Sequence, residues 1–224
     1  MPEQPVLRAV VFDLDGLMFN TEELYDEVGE ILLQRRGRHF SQQLKRETRG
    51  RPDRVSLQMM IDQLSLSETV EQLLAESDQL LARLLPARLH PLPGLDNLLA
   101  ALETAAIPKA IATSSGRSYT ARVLAQAGLQ PRFLFALTGE DVLQGKPAPE
   151  VYLAAARRLG VPPAEVMVLE DSENGCRAGV AAGAYTVAVP GPHSRDHDFA
   201  GVALVVPSLA DASIYRALGL PVPI

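Results

Sequence analysis

From Gly94 onward the chain alternates between helical and strand patterns, and that rhythm narrows the fold more than any other feature. Helices are predicted over 95–105, 119–127, 151–159, 175–182 and 210–218, several of them stopped by a glycine such as Gly128 or Gly160. Short apolar runs predict strands over 110–113, 133–138, 166–169, 185–189 and 203–206. Strands that alternate with helices imply right-handed crossovers and a parallel sheet, so the fold class is α/β with a Rossmann-like parallel sheet.

An earlier strand, over 7–12, stands apart from this series and stops abruptly at Asp13-Leu14-Asp15-Gly16. Between it and Gly94 the character changes to helix throughout. Asn20 is placed as an N-cap with Glu22 and Glu23 behind it. Leu24, Val28, Ile31 and Leu32 follow at helical spacing, and Gly37 ends the helix. Gly50 and Pro52 mark a loop, Val55, Leu57, Met60, Ile61 and Leu64 a second helix, and Ser67 the cap of a third. Pro86 and the 91–94 segment close the region. The pattern predicts an all-helical domain, 20–87, inserted into a core made of 1–19 and 88–224.

Ligands of open α/β sheets collect at the carboxyl ends of strands. Three apolar strands here end in residues with chemical capacity: Asp13 and Asp15, Thr113 and Ser114, Glu170 and Asp171. Lys146, in Gly145-Lys146-Pro147, follows another strand. A parallel sheet would bring all four stretches to one edge. Four acids there require a divalent cation, since unit charges ~4 Å apart near a protein surface interact by ~4 kcal/mol. Oxygen ligands without cysteine or histidine point to Mg²⁺. The hydroxyls and the ammonium would then match a phosphate group, the parts that phosphoryl transfer needs.

Composition narrows the partners. A formal charge of -6 argues against nonspecific nucleic-acid binding, and no apolar run approaches the length of a membrane span. A single cysteine, Cys176, forms no internal disulfide, which suits a reducing, cytoplasmic setting. Cys176 reads as buried packing, and the His193, Asp196, His197, Asp198 loop as solvated surface. A monomer or weak dimer acting on a small phosphorylated metabolite is expected.

In order along the chain, Asp13-Leu14-Asp15-Gly16, Thr113, Lys146-Pro147 and Glu170-Asp171 resemble the four motifs of the haloacid dehalogenase superfamily. The runs 15–22, 146–150 and 169–172 are similar to its β-phosphoglucomutase-like branch, which carries a helical cap after the first motif. The resemblance spans the whole chain. It implies that Asp13 is a nucleophile forming an aspartyl-phosphate and that Asp15 is a general acid and base. Thr113 and the Ser114 amide would hold phosphoryl oxygens, and Lys146 would neutralise charge there. Mg²⁺ would be ligated by Asp171, Asp13 and the Asp15 carbonyl, with Glu170 helping directly or through water.

Substrate candidates in the cap are Glu22, Tyr25, Arg51 and Arg54, and on the core side Ser115 and Arg117. Hinges are expected near 19–21 and 85–90. β-Phosphoglucomutases have a histidine in the first cap helix and an arginine in the cap loop, whereas the corresponding positions here are Tyr25 and Asp53. That departure favours a phosphatase over a phosphomutase. A receiver-type phosphoaspartate module is the remaining alternative, but it would be shorter and would lack the insertion.

Overall fold

The computed structural model describes residues 6–48, 51 and 53–223. They fall into two compact units, one of residues up to Asn20 together with His90 onward, the other Thr21–Leu89. The loop expected at Gly50 and Pro52 lies outside the described residues.

The chain opens with strand β1 (Ala9–Phe12). The second unit then supplies α1 (Thr21–Gln34), α2 (Gln42–Thr48), α3 (Asp53–Leu64) and α4 (Val70–Arg88). Its core is the apolar stripe read from the sequence, with Leu24, Val28 and Leu32 of α1 and Leu73, Leu81 and Leu85 of α4 all buried. Arg36, just past the end of α1, forms ion pairs with Glu68 and Glu76, each at 2.7 Å.

Three local expectations need correction here. The cap of α4 is Thr69, in a reciprocal capping box with Gln72, rather than Ser67. The box satisfies two backbone donors at once, which a serine further upstream could not do. Pro86 lies inside α4 instead of ending it, and the helix continues to Arg88. Helix α2 was not anticipated, because only Leu44 and Thr48 of its seven residues are buried and a short polar stretch carries little periodic signal.

The first unit resumes with α5 (Leu95–Thr104), β2 (Lys109–Ala112), α6 (Arg117–Gln126) and β3 (Ala136–Leu137). After these come α7 (Glu150–Leu159), β4 (Val166–Glu170), α8 (Glu173–Ala181) and β5 (Tyr185–Ala188). Strand β6 (Leu204–Val205) and α9 (Ala212–Ala217) complete it. The strands form one parallel sheet in the order β3-β2-β1-β4-β5-β6. Strand β3 is shorter than the expected 133–138 stretch, whose first residues follow a 3₁₀ turn at Gln130–Arg132.

The central strands are mostly apolar because helices cover both faces of a parallel sheet, with Lys109 at the start of β2 and Glu170 at the end of β4 as the charged exceptions. Ala9 and Val11 of β1 join Val166 and Val168 of β4 in a cluster with Tyr152, Ala155 and Ala156 of α7. Their neighbours Val10 and Phe12 are equally buried, and the Phe12 ring meets Phe133 edge-on with centroids 5.7 Å apart. Strand order reverses beside β1, which separates β2 and β3 from β4 to β6. That crevice is where such sheets bind ligands.

The register fixes what faces the crevice. Phe12 is paired with Ile111 on one side and Leu169 on the other. One residue further, Asp13 comes level with Ala112 and Glu170. Beyond it the chain turns at Gly16, whose φ of +74° falls in the left-handed region that glycine adopts without strain. Where the chain leaves and returns, the Asn20 side chain accepts a 2.9 Å hydrogen bond from the His90 amide, and Phe19 pairs with Pro91.

Candidate active site

Lys146 is the hub of the crevice. Its Nζ donates to Asp13 Oδ1 and Glu170 Oε1, each at 2.5 Å, and to the Ala112 carbonyl at 3.0 Å. These three acceptors belong to residues that the sheet register sets side by side. All three charged side chains are almost wholly buried. Burial opposes a charge on Lys146, but the carboxylates of Asp13 and Glu170 overcome it and raise the ammonium well above its usual pKa.

Glu170, fully buried at the end of β4, accepts from four directions. Besides Lys146 it takes the Tyr152 hydroxyl at 2.7 Å on Oε1, and the Ser172 amide and hydroxyl at 3.1 and 3.0 Å on Oε2. Ser172 also caps α8, accepting from the Gly175 amide. The Tyr152 ring lies 5.0 Å from Lys146 Nζ, a cation–π contact.

Asp13, Glu170 and Asp171 are buried together, and an oxygen from each lies within 4.8 Å of the others. Asp13 is pushed up to about 8, first by burial and further by the charges of Glu170 and Asp15, with Lys146 pulling the other way. Three carboxylates, when ionised, carry more charge than the one lysine beside them balances. Three hard oxygen donors with that surplus fit a divalent cation, so the cluster is suited to hold a metal ion.

Asp15 faces a different set of partners. Its Oδ2 accepts from Ser115 Oγ at 2.6 Å and Thr113 Oγ1 at 3.4 Å, and its Oδ1 accepts from the Tyr119 hydroxyl at 2.6 Å. Thr113 is buried and its Oγ1 also accepts from the Ser115 amide at 3.0 Å. Ser114 is exposed at the end of β2. Thus Asp13, Asp15, Thr113, Ser114, Ser115, Lys146, Glu170 and Asp171 share the carboxyl edge of the sheet.

Of the other candidates, the three arginines are already engaged. Arg117 is held on the surface by Asp141 at 2.7 Å and Glu140 at 3.5 Å. In the helical unit Glu22 and Tyr25 are partly buried on α1. Exposed Arg51 donates to the Glu47 carbonyl at 2.7 Å, and exposed Arg54 pairs with Glu71 at 2.8 Å. The loop read as solvated surface is partly anchored: His197 Nδ1 accepts from the Glu173 amide at 3.3 Å and Ser194 is buried. Cys176 is buried, and burial first, then the charges of Glu170 and Asp171, push its thiol up, as suits a packing role.

Sequence reading missed Tyr119, Tyr152, Ser172 and Gly175. The two tyrosines sit at helical positions that read as packing. Ser172 gave a usable signal, a serine directly ahead of a helix.

Residues 10–189 match the haloacid dehalogenase-like hydrolase family. Over 219 residues the chain is 33% identical to a protein of Drosophila melanogaster named as a probable pseudouridine-5'-phosphatase, covering 92% of this chain and 93% of that one. It is 31% identical to a phosphorylated carbohydrates phosphatase of Thermotoga maritima, with 79% and 82% covered. A solved Thermotoga maritima structure classed as a β-phosphoglucomutase superposes with a TM-score of 0.80 at 28% identity, covering 94% and 99%. The chain belongs to the haloacid dehalogenase-like hydrolase family. Within it the chain falls in the β-phosphoglucomutase-like branch and is a phosphoric monoester hydrolase.

Among the described residues, no helix is long and apolar enough to cross a membrane.

Proposed function

We propose that this chain is a Mg²⁺-dependent phosphatase that hydrolyses a small phosphorylated metabolite, a sugar phosphate or similar monoester, through an aspartyl-phosphate on Asp13. The observation that carries this reading is the buried bridge from Lys146 to Asp13 and Glu170, beside the three-carboxylate group. It supports a reading in which Asp13 is the nucleophile, Lys146 a fixed cation and the carboxylates metal donors in one crevice. The two phosphatase relatives are named for phosphoesters of sugars or nucleosides, which supports the substrate class.

In the first step an Asp13 carboxylate oxygen bonds to phosphorus as the bond from phosphorus to the substrate oxygen breaks. Asp15 gives its proton to that departing oxygen. In the second step water attacks phosphorus, its proton passes to Asp15, and the bond from Asp13 to phosphorus breaks. Inorganic phosphate leaves and both aspartates return to their starting states. Lys146 neutralises charge shared between Asp13 and the phosphoryl oxygens, while the Thr113 hydroxyl and the Ser114 amide are donors for those oxygens. Asp13, Glu170, Asp171 and the Asp15 carbonyl would hold Mg²⁺, which when bound supplies the positive charge that keeps Asp13 ionised.

The helical unit, inserted directly after the Asp15 turn, is inferred to act as the cap that selects the leaving group. Glu22, Tyr25, Arg51 and Arg54 are its candidate contacts. The deciding experiment is a screen of metabolite monoesters for phosphate release with and without Mg²⁺, with Asp13→Asn as control. Release that needs both Mg²⁺ and Asp13 supports the reading. Activity surviving Asp13→Asn removes the nucleophile, and interconversion of sugar phosphates without release of phosphate replaces the phosphatase with a phosphomutase.

A further inference from the structure

We propose that Tyr119 is a positioning residue that aims the carboxyl group of Asp15 at the leaving oxygen. The proposal rests on the phosphatase reading above and adds a residue to it. Asp15 lies beyond the end of β1, in the turn that Gly16 closes, where a single backbone bridge to Phe19 leaves its side chain to be held by its own contacts. Its aim therefore depends on hydrogen bonds. The two short ones come from different residues and grip different oxygens, Tyr119 on Oδ1 and Ser115 on Oδ2, each at 2.6 Å. One anchor holds the place of a single oxygen, and a second on the opposite oxygen also sets the plane of the carboxyl.

Tyr119 suits this task better than its neighbours. Ser115 and Thr113 sit where a phosphoryl group would compete for their hydroxyls. Tyr119 reaches Asp15 from the first turn of α6, a rigid element, by an aromatic side chain with few torsions. When substrate draws Ser115 and Thr113 away, the Tyr119 bond remains as the fixed end of the carboxyl group. Misplacing a catalytic group by a fraction of its reach is costly even when its chemistry is intact.

The test reads proton delivery and not general damage. An alkoxide leaving from a sugar needs Asp15's proton as its bond to phosphorus breaks. A p-nitrophenolate leaves without that help. Because kcat/KM covers only the steps through departure, Tyr119→Phe should lower it roughly tenfold or more on an alkyl monoester. The loss on p-nitrophenyl phosphate should stay within about twofold, since Asp15's proton is not required there. In an Asp15→Asn background, Tyr119→Phe should bring no further loss on the alkyl monoester, because residues acting through one group are not additive. The substitution removes one oxygen and keeps the ring, and a thermal melt confirms that each variant is folded.

Equal losses on both substrates, no loss on either, or a full further loss without the Asp15 carboxylate would each overturn the proposal. These outcomes differ from failure of the phosphatase reading itself. There the wild-type protein would release phosphate from neither substrate.

Discussion

Gly175 lies so close to Glu170 that a Cβ there would meet Glu170 Oε1 at 1.7 Å. That carboxylate has nowhere to retreat, since Lys146, Tyr152 and Ser172 already hold it. Gly175→Ala is therefore expected to dislodge Glu170, with a loss of stability of about 1–3 kcal/mol from overpacking and weaker Mg²⁺ binding. Urea unfolding and calorimetric Mg²⁺ titration measure the two effects. A variant as stable and as Mg²⁺-competent as wild type would contradict the packing described.

Tyr152 gives a gentler probe of the same carboxylate. Tyr152→Phe deletes the 2.7 Å bond to Glu170 Oε1 and keeps the ring under Lys146. A hydrogen bond to a charged group contributes about 1.5–3 kcal/mol. Urea unfolding should show a loss in that range, and a loss of a few tenths or less would mean that the hydroxyl bond is not stabilising.

Lys146 should be the least replaceable residue of the crevice. Lys146→Met leaves Asp13 and Glu170 buried without their cation, and breaking such a group typically costs roughly 3–5 kcal/mol. Part of that loss should return on acidification, as the stranded carboxylates take up protons. Phosphate release should fall by about a thousandfold, the scale of losing an electrostatic stabiliser. Retention of even a tenth of the activity would remove Lys146 from the proposed mechanism.

Away from the site, Glu103 offers a pH test. Hydrogen bonds from Arg132 first, then the interaction with Lys109, lower its pKa to about 2 from an ordinary 4.5, against opposition from partial burial. A depressed carboxylate pKa gives stability that is fully present above the unfolded value. It is lost as pH falls through the folded one. Wild type should therefore exceed Glu103→Gln in stability at neutral pH, with the gap closing between about pH 4.5 and 2. A gap that stays constant across that window would show that the pairing contributes nothing through ionisation.

Much of this arrangement was legible in the letters, for physical reasons. A buried parallel strand needs an unbroken apolar run, so Val10 to Phe12 announced β1, and the polar residues just past such runs had to lie on one sheet edge. That is why Asp13, Thr113, Lys146 and Glu170 could be placed together before any coordinates. Tyr119 and Tyr152 were not legible, because an aromatic residue on a helix face looks the same whether its hydroxyl is idle or bound to a carboxylate. Arg117 looked available for substrate, yet Glu140 and Asp141, distant in sequence, engage it. The cap of α4 at Thr69 was missed because Ser67 and Thr69 carry the same kind of signal, and only the reach of Gln72 separates them. Pro86 misled because proline in the last turn leaves most of a helix's hydrogen bonds untouched.

The central claim is that the phosphoryl group passes through Asp13. The most direct measurement is rapid acid quenching of the Mg²⁺-loaded enzyme during turnover of a monoester it hydrolyses, followed by mass spectrometry of the peptide spanning the end of β1. A phosphoryl group on Asp13 that appears and decays in step with phosphate release is the predicted result. Turnover at full rate with that peptide never modified, or with the group found on another residue, would contradict it.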